Sequence, residues 1–311
     1  MSASRLTPAE TAVLTRRITL LSVATATVLV AIKLTAWLAS GSTALLASMA
    51  DSGLDLIASL ATAYAVRFAT SPPDAGHRFG HGKAEAFASL LQAGLVFASA
   101  ALILREAAVA FADPRPIEQG GWAVGVMAVS ILLTGALVLA QTRMLRQASS
   151  VAVAGDRAHY FSDLASNLVA LAGIAAAAVL GVSHFDAAAA VVVAGLLLWS
   201  AVGVFREAAD QLMDHELSDE LRAEIVRAAT ADPRLSGVHQ LRTRASGPYI
   251  HIQMHVDIDP DVTLEAAHDV VTAAEARILD AFPGADIIIH ADPRGRAEIH
   301  DEPYSAEAPT Q

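Results

Sequence analysis

The sequence predicts a multi-span α-helical membrane protein, with six transmembrane helices followed by a small C-terminal cytoplasmic α/β domain. Three observations predict it. Of the 311 residues, 54% are hydrophobic and only 17% charged, with mean hydropathy +0.46, which is too apolar for an ordinary soluble chain of this size. Six apolar stretches fall at 18–39, 44–67, 86–108, 121–142, 161–180 and 187–205, each able to form a helix of about 20 residues, enough for a hydrocarbon layer of roughly 30 Å. The charge also divides near residue 210: residues 1–210 carry 13 basic and 13 acidic side chains, whereas residues 211–311 carry 8 basic and 19 acidic.

Residues 1–17 are expected to form a cytoplasmic segment and not a removed signal peptide, since MSASRLTPAETAVLTRR does not run straight from basic residues into a short apolar core and a cleavage site and its Arg5, Arg16 and Arg17 mark the cytoplasmic side. The six-helix membrane domain is expected over 18–210, with spans one and two joined by the short connection SGST into a tight hairpin. The last two stretches are Ala-rich; Ala favours helix but is only mildly apolar. Arg5, Arg16 and Arg17 precede span one, Arg67, Arg78 and Lys83 surround the second connection, and Arg143, Arg146 and Arg157 surround the fourth. The opposite loops hold only Arg115, so the positive-inside rule places both termini in the cytoplasm. Lys33, within span one, either snorkels or lines a polar interior.

Residues 211–293 read as α-β-β-α-β, with helices over one face of a small sheet. SDELRAEIVRAATAD (218–232) and TLEAAHDVVTAAEARILDAF (263–282) have helical periodicity, while 237–246, 249–259 and 285–293 alternate as strands do. A lone domain of this size gains from pairing with a copy of itself. Residues 294–311 are polar and expected to be disordered. The acidic tail argues against nucleic acid, whose phosphates need Lys and Arg. With no Cys in the chain, disulfides, iron–sulfur clusters and thiolate metal sites are excluded.

SMADSGLDLIAS (48–59) places Asp51 and Asp55 four residues apart in span two, on one helical face. Like charges there repel, and hydrocarbon makes each costly. One solution pairs one acid with Lys33 and protonates the other; the alternative puts a cation between them. Span five supplies partners: GDRAHYFSDLASN carries His159 and Asp163, again four apart. Three carboxylates and an imidazole suit tetrahedral Zn²⁺, and less selectively Fe²⁺, Co²⁺ or Cd²⁺. A tight four-ligand site favours a carrier that switches access over a channel. Each ligand also binds protons, so protons and metal compete for one site, the physical basis of antiport. No phosphate-binding loop suggests drive by ATP. Two other readings remain: a metal-gated cation channel or metal-sensing membrane protein, and a membrane hydrolase, although no further acid/base set in the spans supports the hydrolase.

Two further clusters are visible. In SPPDAGHRFGHGKAE, Asp74, His77 and His81 either close around one ion, with Gly80 and Gly82 permitting a tight loop, or form a solvated polar loop. In the C-terminal part, His239 and His255 lie on adjacent strand candidates, His268 on a helix, and His290 and Asp292 on one face of the last strand, a set that suits metal ligation. His251 shares a strand face with His255; it either adds to the ligands of this set or is a solvated side chain, the second being the preferred reading.

DSGLD in span two, HRFGHGKAE in the following loop and HYFSD in span five together resemble the cation diffusion facilitator family, and within it the bacterial zinc and ferrous-iron efflux branch, over roughly residues 12–293. The resemblance implies a homodimeric, inner-membrane exporter of divalent metal in exchange for protons, with a metallochaperone-like cytoplasmic domain. It places the transport site on Asp51, Asp55, His159 and Asp163 and a second zinc site on Asp74, His77 and His81. A two-zinc cluster near the dimer interface falls on His239, His255, His268, His290 and Asp292, and a charge interlock at the membrane–cytosol junction on Lys83 and Asp214. Ala291 departs from the branch, where Gln is frequent, and removes a side-chain bridge to the second ion of that cluster.

Overall fold

The computed structural model describes residues 5–41, 43–112, 121–180 and 184–296. Arg115 and most of the polar tail lie outside that range, as does His300. Six long helices lead the chain: α1 (Pro8–Ser40), α2 (Thr43–Ala69), α3 (Ala84–Ala112), α4 (Gly121–Leu145), α5 (Val151–Leu180) and α6 (His184–Leu212). Then follow α7 (Asp219–Ala229), β1 (Leu235–Ser246), β2 (Tyr249–Ile258), α8 (Leu264–Ala281) and β3 (Asp286–Pro293).

Two helices start about ten residues before their apolar stretches, and capping explains both. Ahead of α1, the Thr7 hydroxyl accepts from the Glu10 N–H at 3.3 Å while the Glu10 carboxylate accepts from the Thr7 N–H at 2.9 Å. This is a capping box with Pro at the first helical position. Ahead of α5, the Ser150 hydroxyl accepts from the Val153 N–H at 3.3 Å and donates to the Glu85 carboxylate at 2.5 Å. The early start brings GDRAHYFSD wholly inside α5.

Among the described residues, α1 to α4 and α6 are long and apolar enough to cross a bilayer; α5 is comparably long, with 30 residues. Leu54, Ile57, Tyr64, Phe87, Leu132 and Trp199 are exposed although large and apolar, as expected of a surface that meets lipid. Inside, α5 packs against α2, α3 and α4. A Cβ on Gly155 would lie 2.9 Å from Ser89 Oγ and 3.0 Å from Ser89 Cα, so only glycine allows α3 and α5 to approach this closely.

Residues Ala12–Ala209 form one compact unit; the other contains the chain from Asp210 together with the N-terminal residues up to Thr11. In the latter, the sheet order is β1-β2-β3, with β1 antiparallel and β3 parallel to β2. The parallel pair needs a crossover, which α8 provides. Thr263 caps α8 by accepting from the Ala266 N–H at 3.2 Å. Ile225, Ile252, Met254, Val256, Val270 and Ile278 pack in the core between helices and sheet. Arg5 holds the N-terminal segment on this unit: its guanidinium donates to both Glu224 oxygens, at 3.1 and 2.7 Å, and to the Ala281 carbonyl at 2.8 Å, and lies 4.2 Å from the Phe282 ring centroid.

Candidate metal centres

In the helical unit, Asp55, His159 and Asp163 converge, with one possible ligand atom from each lying within 4.8 Å of the others. His159 Nε2 is 3.0 Å from Asp55 Oδ1 and 3.7 Å from Asp163 Oδ2. The spacing of four on α5 stacks His159 over Asp163, and α2 presents Asp55 across from them. Asp55 and His159 are buried. The next residue, Tyr160, fixes this turn of α5 against α2 through a 2.6 Å hydrogen bond between its hydroxyl and that of Ser59.

Asp51 stands outside this trio and lines the same cavity of about 230 Å³ as Asp55 and Asp163. The cavity is polar for a membrane bundle, with Ser99, Ser130, Thr134 and Asn167 also in its wall. Lys33 lines it too, without pairing head-on with Asp51: its ammonium donates to Ser52 Oγ at 2.6 Å and to the Ser48 carbonyl at 3.2 Å. Lys33 is thus the cation in the wall of a cavity rich in carboxylates, as one of the two sequence readings required.

The second cluster, Asp74, His77 and His81, occupies the loop between α2 and α3. Asp74 Oδ1 accepts from the backbone N–H groups of His77 and Gly76 at 2.7 and 2.8 Å and lies 3.2 Å from His77 Nδ1; Oδ2 is 3.3 Å from His81 Nε2. Foremost the His77 N–H, then that of Gly76, hold the Asp74 carboxyl below its ordinary value, so it is an anion at neutral pH. The His81 ring is buried against Phe68 and His77, with centroids 4.4 and 4.6 Å away.

The third cluster is a product of strand register. His239 on β1 lies opposite His255 on β2, which lies beside His290 on β3, so three imidazoles form a row across the sheet. Two residues along, on the same face, Gly237, Asp257 and Asp292 align. The buried Asp292 carboxylate sits 3.0 Å from His255 Nδ1, 3.3 Å from His239 Nε2 and 3.2 Å from His290 Nε2. A bulge between His239 and Arg242, with Gln240 at φ 50°, creates the row: without its one-residue shift, His239 would meet Val256 instead. A Cβ on Gly237 would lie 2.8 Å from Asp257 Oδ2, so glycine leaves room for that acid, which is 3.8 Å from His239 Nε2.

His268 is exposed on α8, outside the His239–His255–Asp292 group. His251 is buried, its Nδ1 3.0 Å from Asp286 Oδ2, which corrects the solvated reading; the parallel register sets His251 beside Asp286. Ala291 follows His290 on β3 and, by strand alternation, points to the other face from His290 and Asp292. Asp214 accepts from Arg244 Nη1 at 3.1 Å, and Lys83 is half-buried just before α3. Sequence reasoning missed Asp257 as a cluster member, although alternation along YIHIQMHVDID already puts it on the face of His255.

Two family models cover the chain: the cation efflux transmembrane domain over residues 19–213 and the cation efflux protein cytoplasmic domain over 217–294. The chain is similar to the cation-efflux pump FieF of Shewanella oneidensis, 40% identical over 88% of this chain and 92% of that protein. It is also similar to FieF of Yersinia enterocolitica, 37% identical over 86% of this chain and 89% of that one, and to FieF of Salmonella choleraesuis, 37% identical over 90% and 93%. With a helical bundle whose acids and imidazole converge in a polar cavity, a C-terminal α/β domain and matches over nearly its whole length, the chain belongs to the cation efflux, or cation diffusion facilitator, family: it is a multi-pass membrane transporter of divalent metal cations, not an enzyme.

Proposed function

We propose that the protein exports Zn²⁺ from the cytoplasm in exchange for protons, through an alternating-access site made by Asp51, Asp55, His159 and Asp163. The observation that carries this reading is the 3.0 Å approach of His159 Nε2 to Asp55 Oδ1, with Asp163 Oδ2 at 3.7 Å. An imidazole flanked by two carboxylates on two helices has the donor types and the compactness that Zn²⁺ takes, and Asp51 in the same cavity completes a set of four. Fe²⁺, Cd²⁺ and Co²⁺ accept the same donors and are expected as weaker substrates.

The geometry also supports the exchange. His159 Nε2 either carries a proton that bonds to Asp55 or offers its lone pair to a metal; one atom cannot do both. Metal arrival therefore expels that proton, and proton arrival from the other side discharges the metal. Lys33 limits the excess negative charge of the cavity between the two events. In this reading the protein is a homodimer in the inner membrane with both termini cytoplasmic. Metal at Asp74, His77 and His81, and at His239, His255, His290 and Asp292, then reports the cytosolic metal level to the transporter. Lys83 and Asp214 serve as the interlock at the junction of the two domains.

Uptake into vesicles containing the purified protein, with a panel of Zn²⁺, Fe²⁺, Cd²⁺ and Co²⁺, tests this on the wild type and Asp51→Ala. Saturable zinc flux with opposite proton movement, lost in Asp51→Ala, is the expected result; proton-independent flux that does not saturate would favour a channel.

A further inference from the structure

Two buried acids among the described residues of the helical unit, Glu85 and Asp156, belong to none of the metal clusters, and Glu85 is taken up by the Ser150 hydroxyl that caps α5. Asp156 lies on α5, three residues before His159, and is 1% exposed. No Lys or Arg among the described residues pairs with it. Two glutamine amides do: Gln92 Nε2 on α3 donates to Asp156 Oδ1 at 3.0 Å and Gln141 Nε2 on α4 donates to Oδ2 at 2.8 Å. Each amide nitrogen has a second acceptor, Thr62 Oγ1 on α2 at 3.0 Å for Gln92 and Ser22 Oγ on α1 at 3.2 Å for Gln141. Side chains of five helices thus join in one hydrogen-bond network around a single carboxylate.

Two features distinguish this knot from simple helix glue. A carboxylate inside a membrane bundle is costly as an anion, and neutral amides and hydroxyls only partly offset that cost. In addition, both glutamine carbonyl oxygens are buried and have no hydrogen-bond partner among the described residues. Gln92 and Gln141 are themselves 0% exposed, so each holds an acceptor in reserve. When Asp156 is an anion, both amides present N–H, as observed. When it takes a proton, rotating one amide by half a turn presents a carbonyl oxygen to the new acid O–H. The same side chains therefore satisfy the acid in either protonation state, with no helix movement required.

We propose that Asp156 is a proton-carrying residue of the transport cycle, distinct from the metal ligands, with Gln92 and Gln141 as its two-state partners. This rests on the proton-exchange reading above. The charged groups acting on Asp156 are His159 on its own helix and Asp55 on α2; α1, α3 and α4 contribute the neutral Ser22, Gln92 and Gln141. When metal displaces the proton of His159, a dication replaces a monocation near Asp156 and favours the Asp156 anion. Asp156 therefore gives up a proton as the metal arrives and takes one back when the metal leaves, adding one proton to those exchanged for each ion.

The test uses full-length protein in vesicles, with zinc and proton fluxes recorded together from about pH 6 to 8. Asp156→Asn keeps the shape and the hydrogen bonds, through one rotated amide, but cannot carry the proton. It is expected to bind zinc still, to move about one proton fewer per metal ion and to flatten the pH profile. Asp156→Glu, which titrates, is expected to recover part of the profile, as a purely structural role would not predict. Should Asp156→Asn fail to fold, Gln141→Leu removes one donor to the anion and should move the profile up by about one pH unit. A wild-type proton-to-metal ratio and pH profile in these variants overturn the proposal while leaving antiport intact. Metal flux without proton movement in the wild type overturns both.

Discussion

The bundle cluster and the cytoplasmic cluster draw on the same side chains, imidazole and carboxylate, but assemble them differently. In the bundle, His159 and Asp163 are brought together by one helix, because a spacing of four puts both on one face, and the only long-range requirement is that α2 meet α5. In the cytoplasmic domain, no two members of the His239, His255 and His290 row share a strand; the row exists because three strands and a bulge settle into one register. A helix-built site therefore tolerates small shifts along its neighbours, whereas a register-built site is lost with a one-residue slip. The acids differ as well. Asp292 is enclosed by three imidazoles, while Asp51, Asp55 and Asp163 share a polar cavity with Lys33. The first arrangement suits retention of an ion, the second its passage.

The strongest way to break this contrast is to remove one member from each site. Asp55→Ala or His159→Ala should lower zinc flux into vesicles by about 100-fold or more, since each takes a ligand from a set of four. Asp292→Ala should leave flux at saturating zinc within a few-fold of wild type, yet weaken zinc binding to the cytoplasmic domain by about 100-fold, as read by competition with a chelating dye in the Asp55→Ala background. If Asp292→Ala stopped transport as completely as Asp55→Ala, the division into passage and retention would fail.

A subtler change sharpens the register argument. Gly237→Ala places a methyl against Asp257 Oδ2 and should reduce cytoplasmic zinc affinity about fivefold, or about 1 kcal/mol, with no effect on flux at saturating metal. The smallest effect concerns the N-terminal clamp. Arg5→Ala should lower the stability of the C-terminal unit by about 1 kcal/mol at neutral pH, from a bidentate pair that is partly exposed and a cation–π contact. The Arg5 hydrogen bond, with its charge, holds the Glu224 carboxyl below its ordinary value. The clamp is therefore fully present above the usual glutamate range and fades as pH falls through the lowered folded value. Thermal melts of wild type and Arg5→Ala should converge in acid.

The bundle site was legible in the sequence because both its pairs obey helical spacing and stand out against an apolar background. The helix starts were less so: hydropathy alone puts the start of α5 at residue 161, whereas the Ser150 cap starts it at Val151, ten residues earlier, and Asp156 and His159 of the polar GDRAH turn are buried. In the cytoplasmic domain, alternation identified the strands and the face of His255, but not the bulge. Gln240 adopts a positive φ without being glycine, so no residue type announced it. For the same reason helical periodicity could place His268 on a helix but not show that it would be exposed, outside the His239–His255–Asp292 group. Asp156 was invisible as a functional candidate because its partners, Gln92 and Gln141, lie on two other helices and carry no charge to mark them.

In the proposed cycle one divalent ion is held between α2 and α5 at Asp51, Asp55, His159 and Asp163. Anomalous diffraction at the zinc edge from crystals of the zinc-loaded protein tests it most directly. One strong peak is expected at the convergence of those four side chains, within about 2.0 to 2.2 Å of His159 Nε2 and the carboxylate oxygens. Zinc peaks confined to the loop and the cytoplasmic domain, with the bundle empty in a protein that transports zinc, would contradict it.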